Sequence, residues 1–519
     1  MKKLILYSSL FFAAISAKAQ TVDTAILWEN SIGGTSDDYG YYVEATSDGG
    51  YITVGSVSSA DGDLAANYGS YDVLLSKLDA LGNIVWVKNL GGSLGEEGYT
   101  VHQTLDGGYF ITGYTNSNDF QVSSNSGFKD IWVVKTNALG TIQWEKTYGG
   151  SADERAYTTS QTSDGGYILC GHTESNDGDV TLNNGVSDVW VVKIDTAGII
   201  QWQKSYGGTN GDYGSHISQT PDGGYIITAY SYSNDVDATV NYGGADLWII
   251  KTNTLGVIQW QKNYGGTNED YSTCGYSTSD GGYIFLAYTA SNDGDITFSH
   301  GNFDNWLVKL NSAGVIQWQK CLGGTDSDAN YALKKTLDGK YILAGYSYSN
   351  DFDVSGNHGG GQADYWVAKI DTTGTIEWQT CIGGTGDDEA FSITQIADSS
   401  FVVAGISDSN NGDVTGNAGT YDSWVVHLGP APIILDVNSG TTTSNQILVY
   451  PNPSKGDFYF KNLTLETLIE IYDISGKSVL QMTASSTSEK INLKEQSKGI
   501  YFYRIISKTE VSVGKIIIE

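Results

Sequence analysis

Asp48-Gly49-Gly50-Tyr51 is the stretch that this chain of 519 residues repeats most regularly. It recurs, twice in altered form, at Asp106, Asp164, Asp222, Asp280, Asp338 and Asp398. Successive copies are 58 residues apart, except for a final step of 60. A fixed period of this size is typical of a protein built from repeated structural units.

The 13 tryptophans follow the same period in two series. The first series consists of Trp28, Trp86, Trp144, Trp202, Trp260, Trp318 and Trp378. The second belongs to Asp-x-Trp pairs and consists of Trp132, Trp190, Trp248, Trp306, Trp366 and Trp424, with Leu74 in the Trp position of the first pair. Rings that recur once per unit are expected to pack between units, where each buries about 150–250 Å².

The sequence of each unit predicts four short strands, here named a, b, c and d in chain order. In the fourth unit they are Tyr213–Thr220, Tyr225–Tyr232, Asp246–Thr252 and Val257–Tyr264. The Asp222-Gly223 pair between strands a and b is a strong hairpin signal, because Gly accepts the positive φ of the turn. Gly256 is placed for the same conformation in the c–d turn. A longer polar loop, 233–245, joins strands b and c.

The two ends of the repeat region complete each other. The chain begins its repeats with a lone strand d, Ile26–Ile32, and the seventh unit ends after strand c at Leu428. An open stack would need capping units at both ends, whereas a closed ring removes exposed edges. The sequence therefore predicts an all-β fold, a seven-bladed β-propeller over residues 20–429, closed by the N-terminal strand.

The first residues are typical of a secretory signal peptide. Lys2 and Lys3 precede an apolar run that ends at Ile15, and the small-x-small pattern of residues 17–19 predicts cleavage between Ala19 and Gln20. The run is too short to span a bilayer, and no later stretch reaches the roughly 18 apolar residues of a spanning helix. We expect residues 1–19 to be removed on export and the mature chain to have no transmembrane segment.

The composition changes after the seventh unit. Four of the 5 prolines and none of the tryptophans lie there. Residues 430–445 are predicted to be a linker. Residues 446–519 alternate apolar and polar side chains in short runs and predict a small β-sandwich.

Five blocks of this C-terminal region have a family resemblance. They are Val449-Tyr450-Pro451-Asn452-Pro453, Gly456-Asp457-Phe458, Ile471–Lys477, Lys498–Phe502 and Lys515–Ile518. In this order they resemble a type A C-terminal sorting domain of the type IX secretion system. The resemblance implies Sec export, type IX machinery as a partner, and release from the cell or attachment to the outer-membrane surface. The DGGYI-type repeats also resemble those of secreted propellers with such tails, which implies a fold and no particular activity.

The charge excludes nucleic acid as a partner. The chain has 59 Asp and Glu against 28 Lys and Arg, a formal net charge of -31. Such a field repels phosphate backbones. Arg, the usual base-reading side chain, occurs only as Arg155 and Arg504.

The acidic residues are concentrated in the b–c and d–a loops, which antiparallel blades place on one face of the ring. The d–a loops hold Asp37, Asp38, Glu96, Glu97, Asp153, Glu154, Asp212, Glu269, Asp270, Asp326, Asp328, Asp387 and Asp388. We expect a strongly anionic loop face.

The b–c loops suggest one cofactor, Ca²⁺, because this ion takes six to eight oxygen ligands from carboxylates and loop carbonyls. The candidate ligands are Asp61, Asp63, Asp177, Asp179, Asp235, Asp237, Asp293, Asp295, Asp351 and Asp353. The other interpretation is that these side chains cap backbone amides in turns. Both interpretations remain open at this point.

A further Asp opens strand c in every unit. The series is Asp72, Asp130, Asp188, Asp246, Asp304, Asp364 and Asp422. A catalytic residue is needed once and not seven times, so these residues are expected to bind the loop that enters the strand. Glycoside hydrolysis needs a pair of carboxyl groups, and no departure from the repeat supplies one. We therefore assign no catalytic residue.

These observations favour a secreted or surface-attached, non-catalytic propeller that binds an extracellular glycan or protein on its acidic loop face. Two alternatives remain open. One is a carbohydrate-active enzyme of the glycoside hydrolase kind. The other is a structural protein of a surface layer.

Overall fold

The computed structural model describes residues 24–64, 66–396, 400–430, 447–465, 467–473, 477–507 and 511–519. Its internal contacts divide the chain into two units, Met1–Pro430 and Ala431–Glu519. The predicted signal peptide, its cleavage site at Ala19 and Gln20, and residues 431–445 of the predicted linker lie outside the described residues. Within the described ranges no helix is long and apolar enough to cross a membrane.

The first unit is built from four-stranded antiparallel sheets. Its strands are β1 (Thr24–Ile32), β2 (Asp38–Ala45), β3 (Tyr51–Val57), β4 (Asp72–Leu78), β5 (Ile84–Leu90), β6 (Glu96–Gln103), β7 (Tyr109–Thr115), β8 (Asp130–Thr136), β9 (Ile142–Tyr148), β10 (Glu154–Gln161), β11 (Tyr167–Thr173), β12 (Asp188–Ile194), β13 (Ile200–Tyr206), β14 (Asp212–Gln219), β15 (Tyr225–Ser231), β16 (Asp246–Thr252), β17 (Ile258–Tyr264), β18 (Asp270–Ser277), β19 (Tyr283–Thr289), β20 (Asp304–Leu310), β21 (Ile316–Leu322), β22 (Asp328–Lys335), β23 (Tyr341–Ser347), β24 (Asp364–Ile370), β25 (Ile376–Ile382), β26 (Asp388–Gln395), β27 (Phe401–Ser407) and β28 (Asp422–Pro430).

These strands form seven sheets, and each sheet has the predicted order a-b-c-d. Strand a of every blade contacts strand a of both neighbouring blades, and β26 contacts β2. The innermost strands therefore close a ring. The predicted seven-bladed propeller is confirmed.

The seventh blade is completed by the N-terminal strand, as the sequence predicted. Strand β1 pairs antiparallel with β28, from Thr24 opposite Pro430 to Ile32 opposite Ser423. The indole Nε1–H of Trp424 in β28 donates a hydrogen bond of 2.9 Å to Glu29 in β1. Residues separated by nearly the whole ring are thus joined in one sheet.

Tryptophans from both series pack between blades. The six on the c strands are among the largest fully buried side chains, and the indole of Trp248 donates to Gln261 on strand d at 2.9 Å. The series on the d strands reaches the next blade: the ring of Trp202 lies 5.8 Å from that of Tyr225, and the ring of Trp28 lies 5.5 Å from that of Tyr51. The Tyr of the DGGY stretch is therefore part of the contact between blades.

The Asp of the same stretch fixes the a–b turn. Gly223 has a φ of 81°, as the turn requires. Asp222 accepts a hydrogen bond of 2.9 Å from Lys251, a buried lysine on strand c. Equivalent ion pairs in the other described turns are Asp48–Lys77, Asp106–Lys135, Asp164–Lys193, Asp280–Lys309 and Asp338–Lys369. The carboxylates of the described a–b turns are thus paired with lysines of the c strands.

The second unit contains two sheets. Its strands are β29 (Leu448–Tyr450), β30 (Asp457–Lys461), β31 (Leu468–Tyr472), β32 (Ser478–Thr483), β33 (Ser488–Asn492), β34 (Gly499–Ile506) and β35 (Val511–Ile518). The sheets have the orders β29-β30-β33 and β32-β31-β34-β35. One apolar core joins them, with Phe458 and Phe460 from the first sheet and Ile469 and Ile471 from the second. The predicted β-sandwich is confirmed.

Ring closure can be tested by deleting residues 24–32. The deletion leaves β28 as an unpaired apolar edge, so we expect a lower melting temperature and self-association. The measurements are thermal melting and light scattering, with the chain lacking residues 446–519 as the matched control. A deletion variant that melts like the parent and remains a monomer would contradict closure by β1.

Candidate functional site

The aspartates that open the c strands have the structural role expected of them. All seven are buried, with at most 1% of the side chain exposed. Each accepts a hydrogen bond from a backbone N–H in the b–c loop that enters the strand, namely that of Tyr68, Ser126, Asn184, Tyr242, His300, His358 or Ala418. They fix the loop and do not reach a cavity.

The candidate calcium ligands of the b–c loops lie against the d–a loop of the same blade. The first Asp of each pair accepts the N–H of a Thr or Ser at 2.8 Å; these are Asp61, Asp177, Asp235, Asp293 and Asp351. The second Asp accepts a glycine N–H at 3.2 to 3.4 Å in four of the five pairs: Asp63, Asp179, Asp295 and Asp353. In all five pairs, Asp237 included, the N–H of the second Asp donates to the carbonyl of the matching glycine. The structure thus places these residues as caps of backbone amides.

Among the residues that the structure describes, no group of three or more His, Cys, Asp or Glu side chains is arranged to hold a metal ion. The candidate pairs are brought to the same loop but not to a third carboxylate at ligand distance. Calcium binding at these loops stays a prediction.

Seven of the 13 acidic residues expected on the d–a loops are not on the surface. Asp38, Glu96, Glu154, Asp212, Asp270, Asp328 and Asp388 are the first residues of the a strands, and all are fully buried. Asp212, for example, accepts hydrogen bonds from Gly208 N–H, Ser233 Oγ and Ser231 Oγ. These seven residues therefore do not contribute exposed carboxylates to the anionic loop face that the sequence predicted, because their carboxylates bind the loop backbone between blades.

Each of these buried acids lies beside the c-strand Asp of the preceding blade. A Cβ built on Gly265 would meet Asp246 Oδ1 at 2.3 Å and Asp270 Oδ2 at 2.8 Å, so the two carboxyl groups enclose this glycine. Only a residue without a side chain fits between them. In all seven blades the Oδ1 atom of the c-strand Asp is buried and has no hydrogen-bond partner.

Burial and charge repulsion within these pairs affect protonation. Burial, followed by the nearby Asp270 charge, raises the pKa of Asp246 to about 7, against the lowering effect of the Tyr242 N–H. Burial likewise raises the pKa of Asp130, Asp188 and Asp422 to about 6. A carboxyl group with such a pKa takes up a proton near neutrality.

The residues that the sequence reasoning missed line the middle of the ring. Residues from all seven a strands surround a cavity of about 610 Å³. Five aromatic rings follow one another around it on blades six, seven, one, two and three: Tyr331, Phe391, Tyr41, Tyr99 and Tyr157, with successive ring centroids 5.1 to 5.6 Å apart. We call these five residues the aromatic arc. The equivalent positions of the fourth and fifth blades hold Ser215 and Thr273.

The inner face of the a strands is the part of the repeat that varies from blade to blade. Where the first blade has Glu44, the others have His102, Ser160, Ser218, Tyr276, Lys334 and Thr394. This departure from the repeat lies on a strand and not in a loop, and a position-by-position comparison of the seven a strands in the sequence shows it. Variation on an otherwise regular scaffold indicates the surface on which function depends.

The electrostatics of the cavity differ from those of the rest of the protein. Of the described residues that line it, none is Asp or Glu, and the one cation is Lys334. Burial lowers the pKa of His216 to about 3, so its imidazole is neutral. Burial raises the pKa of Tyr276 to about 12, so its hydroxyl remains protonated. The cavity therefore offers aromatic faces, neutral hydrogen-bonding groups and one ammonium group.

Residues 448–519 match the family described as the secretion system C-terminal sorting domain. The matched residues are those that resemble a type IX sorting domain, and this recognition is confirmed. The chain is therefore directed by the type IX machinery to a secreted or cell-surface location.

No curated protein sequence matches the chain. Among solved structures it is similar to the Pan2 WD40 domain of Neurospora crassa, at 9% identity and a TM-score of 0.43 over 80% of this chain and 98% of that one. It is also similar to puromycin hydrolase, at 11% identity and a TM-score of 0.45 over 82% of this chain and 59% of that one. These low values support no functional argument.

The buried acid pairs predict that stability depends on pH. Because the pKa of Asp246 is raised in the folded state, its protonation stabilises the fold at low pH, and this contribution is lost as the pH rises from about 4 through 7. Each such group changes the free energy of unfolding by up to about 1.4 kcal/mol per pH unit in that range. We expect the melting temperature to fall between about pH 4 and pH 7, and to fall less steeply in Asp246→Asn.

The matched control is Asp222→Asn, on the a–b turn. The Asp222 carboxylate is paired with Lys251. Burial acts to raise the pKa of Asp222, but the hydrogen bonds from Thr220 and Lys251 outweigh it, so the pKa is lowered. Loss of this carboxylate should lower the melting temperature without changing its slope over the same range. Equal slopes for the parent and Asp246→Asn would show that Asp246 does not titrate there.

The role of the sorting domain in export can be tested by removing it. Removal of residues 446–519 should leave a folded propeller in the periplasm, because the signal for translocation across the outer membrane is lost. Cell fractionation with an antibody against the propeller measures this. The control is an unrelated passenger with a signal peptide fused to residues 446–519, which should be exported. Appearance of the truncated chain outside the cell would contradict the prediction.

Proposed function

We propose that this exported propeller binds an extracellular glycan in its central cavity and catalyses no reaction. The observation on which the proposal depends is the asymmetric wall of the cavity. The aromatic arc covers five blades, and the other two place the hydroxyls of Ser215 and Thr273 at the equivalent positions, with Tyr230 and Tyr288 of the adjacent b strands also lining the cavity. Sugar rings present an apolar face of C–H groups and an edge of hydroxyls, so both parts of the wall have a matching surface.

The size of the cavity favours a glycan over a protein surface. Ligand sites for small molecules are typically about 300–1,000 Å³ and bury most of the ligand. The cavity, at about 610 Å³, lies within that range. A folded partner could insert only a side chain or a loop tip, whereas a short oligosaccharide or a chain end fits as a whole.

The loop face is the weaker candidate for the binding site. Its Asp side chains already accept hydrogen bonds from backbone amides, as at Asp61 and Asp235. Side chains engaged in this way hold the loops in place and have fewer free lone pairs for a ligand. We therefore place the ligand in the cavity and not on the loop face.

The absence of carboxyl groups from the described cavity wall favours binding over hydrolysis. Glycoside hydrolysis uses two carboxyl groups about 5–9.5 Å apart. The described lining residues supply hydroxyl, imidazole, thiol and ammonium groups instead. A bound glycan would meet no pair that could act as acid and base.

The proposal predicts that Tyr157→Ala and Tyr331→Ala weaken glycan binding by at least about tenfold, because aromatic anchors in a cavity contribute about 2 kcal/mol or more. A glycan array identifies the ligand, and calorimetry on purified variants measures the affinity. Tyr242→Ala is the matched control, since this Tyr is 48% exposed on a b–c loop.

A loss of binding in Tyr242→Ala alone would place the ligand on the loop face. Shortening of the bound glycan during the assay would identify a carbohydrate-active enzyme. Retention of full affinity in both cavity variants would exclude the central cavity as the site.

A further inference from the structure

Lys334 is the one cation among the described residues of the cavity wall, and its surroundings are unusual for this protein. It lies on β22, two residues before the a–b turn of the sixth blade. Its Nζ lies 5.6 Å from the ring centroid of Tyr42 and 5.7 Å from that of Tyr276. Tyr42 belongs to the first blade and Tyr276 to the fifth, so the ammonium group lies between aromatic faces from both sides.

Lys334 is not part of any ion pair among the described residues, although acidic residues outnumber basic ones by 59 to 28. The buried lysines of the c strands show the contrast, since Lys251 and Lys309 each bind the Asp of an a–b turn at 2.9 Å. A cation held away from water is costly unless an anion accompanies it. The two aromatic faces compensate for only part of this cost.

The charged and titratable groups near Lys334 do not neutralise its ammonium group. Glu44 occupies the position of the first blade that corresponds to Lys334, and His102 Nδ1 and the Gln103 N–H both bind it at 2.8 Å. His216 packs against Tyr276 with ring centroids 4.8 Å apart, and its buried Nδ1 has no hydrogen-bond partner. A neutral imidazole and two phenols thus surround the ammonium group with further hydrogen-bonding capacity.

The face of the ring that carries the a–b and c–d turns is here called the turn face. An anion that approaches from this face avoids the acidic loops. Lys334 lies near the a–b turns, where the described Asp residues are paired with lysines of the c strands. The loop face is at the other end of the a strands. An anionic ligand would therefore meet less repulsion from the side on which Lys334 lies.

We infer that the cavity recognises a glycan with an anionic group, a carboxylate or a sulfate, and that this group contacts the ammonium of Lys334. The inference rests on the proposed function, since it concerns the same cavity. An ammonium is a compact charge on a flexible stem and suits a single anionic group of either chemistry. The arc and the hydroxyls would hold the sugar rings, and Lys334 would select the charge.

The test compares three oligosaccharides of equal length on the mature full-length chain: an oligogalacturonate, a sulfated oligogalactose and a neutral oligogalactose. Calorimetry is carried out with the parent, Lys334→Met and Lys335→Met. Lys335 is the matched control, because it is the next residue and is exposed. The melting temperature of each variant confirms that it is folded. Lys334→Gln, which also removes the charge, replaces Lys334→Met if that variant does not fold, and Lys334→Arg is the variant that keeps the charge.

We expect the parent to prefer at least one acidic oligosaccharide to the neutral one by about tenfold or more, as a hydrogen bond to a charged group contributes roughly 1.5–3 kcal/mol. Lys334→Met should lower the affinity for the acidic oligosaccharide to about that for the neutral one, whereas Lys335→Met and Lys334→Arg should keep the preference. Whether the carboxylated or the sulfated ligand binds identifies the anionic group.

Equal affinity of the parent for acidic and neutral ligands would overturn the inference. So would an undiminished acidic preference in Lys334→Met. In either case, the proposed function would still stand if the parent binds the neutral oligosaccharide and Tyr157→Ala does not. Binding of no oligosaccharide by the parent would overturn both.

Discussion

The pairing of β1 with β28 is the constraint on which the rest of the structure depends. It joins residues separated by nearly the whole first unit in one antiparallel sheet. The entropic cost of closing a loop rises only slowly with its length, so a closure of this span is not prohibitive. Because β26 then contacts β2, the seven a strands surround a single cavity, and every wall of that cavity exists only in the closed ring.

Repetition separates structure from function in this protein. Features that recur in nearly every blade can be assigned to the scaffold: the Trp–Tyr contacts between blades, the Asp–Lys pairs of the turns and the buried acid pairs. A ligand needs a site once, and a single site must depart from the symmetry that surrounds it. The departures are on the inner face of strand a, where the aromatic arc occupies five blades and Ser215 and Thr273 occupy the other two.

The large negative charge of the chain is distributed in three ways. Some carboxylates are buried in pairs between blades, as at Asp246 and Asp270, where proton uptake offsets their repulsion. Other carboxylates accept hydrogen bonds from loop backbone amides, as at Asp61. The carboxylates of the described a–b turns form ion pairs with lysines, as in Asp222–Lys251. The described cavity wall holds Lys334 and no carboxylate. A net charge therefore says little about the site, because local pairing decides which charges a ligand meets.

The sequence alone determined the number of blades, the four strands in each, the closing strand and the sorting domain. These features depend on local signals: the 58-residue period, the alternation of apolar residues, and turn glycines such as Gly223 and Gly256. Tertiary structure alone decided that Asp38 and its equivalents are buried, that the c-strand Asp has a free Oδ1, and that Lys334 lies between Tyr42 and Tyr276. The reason is geometric. These contacts join different blades, and residues of different blades meet only where the closure and radius of the ring bring their strands together.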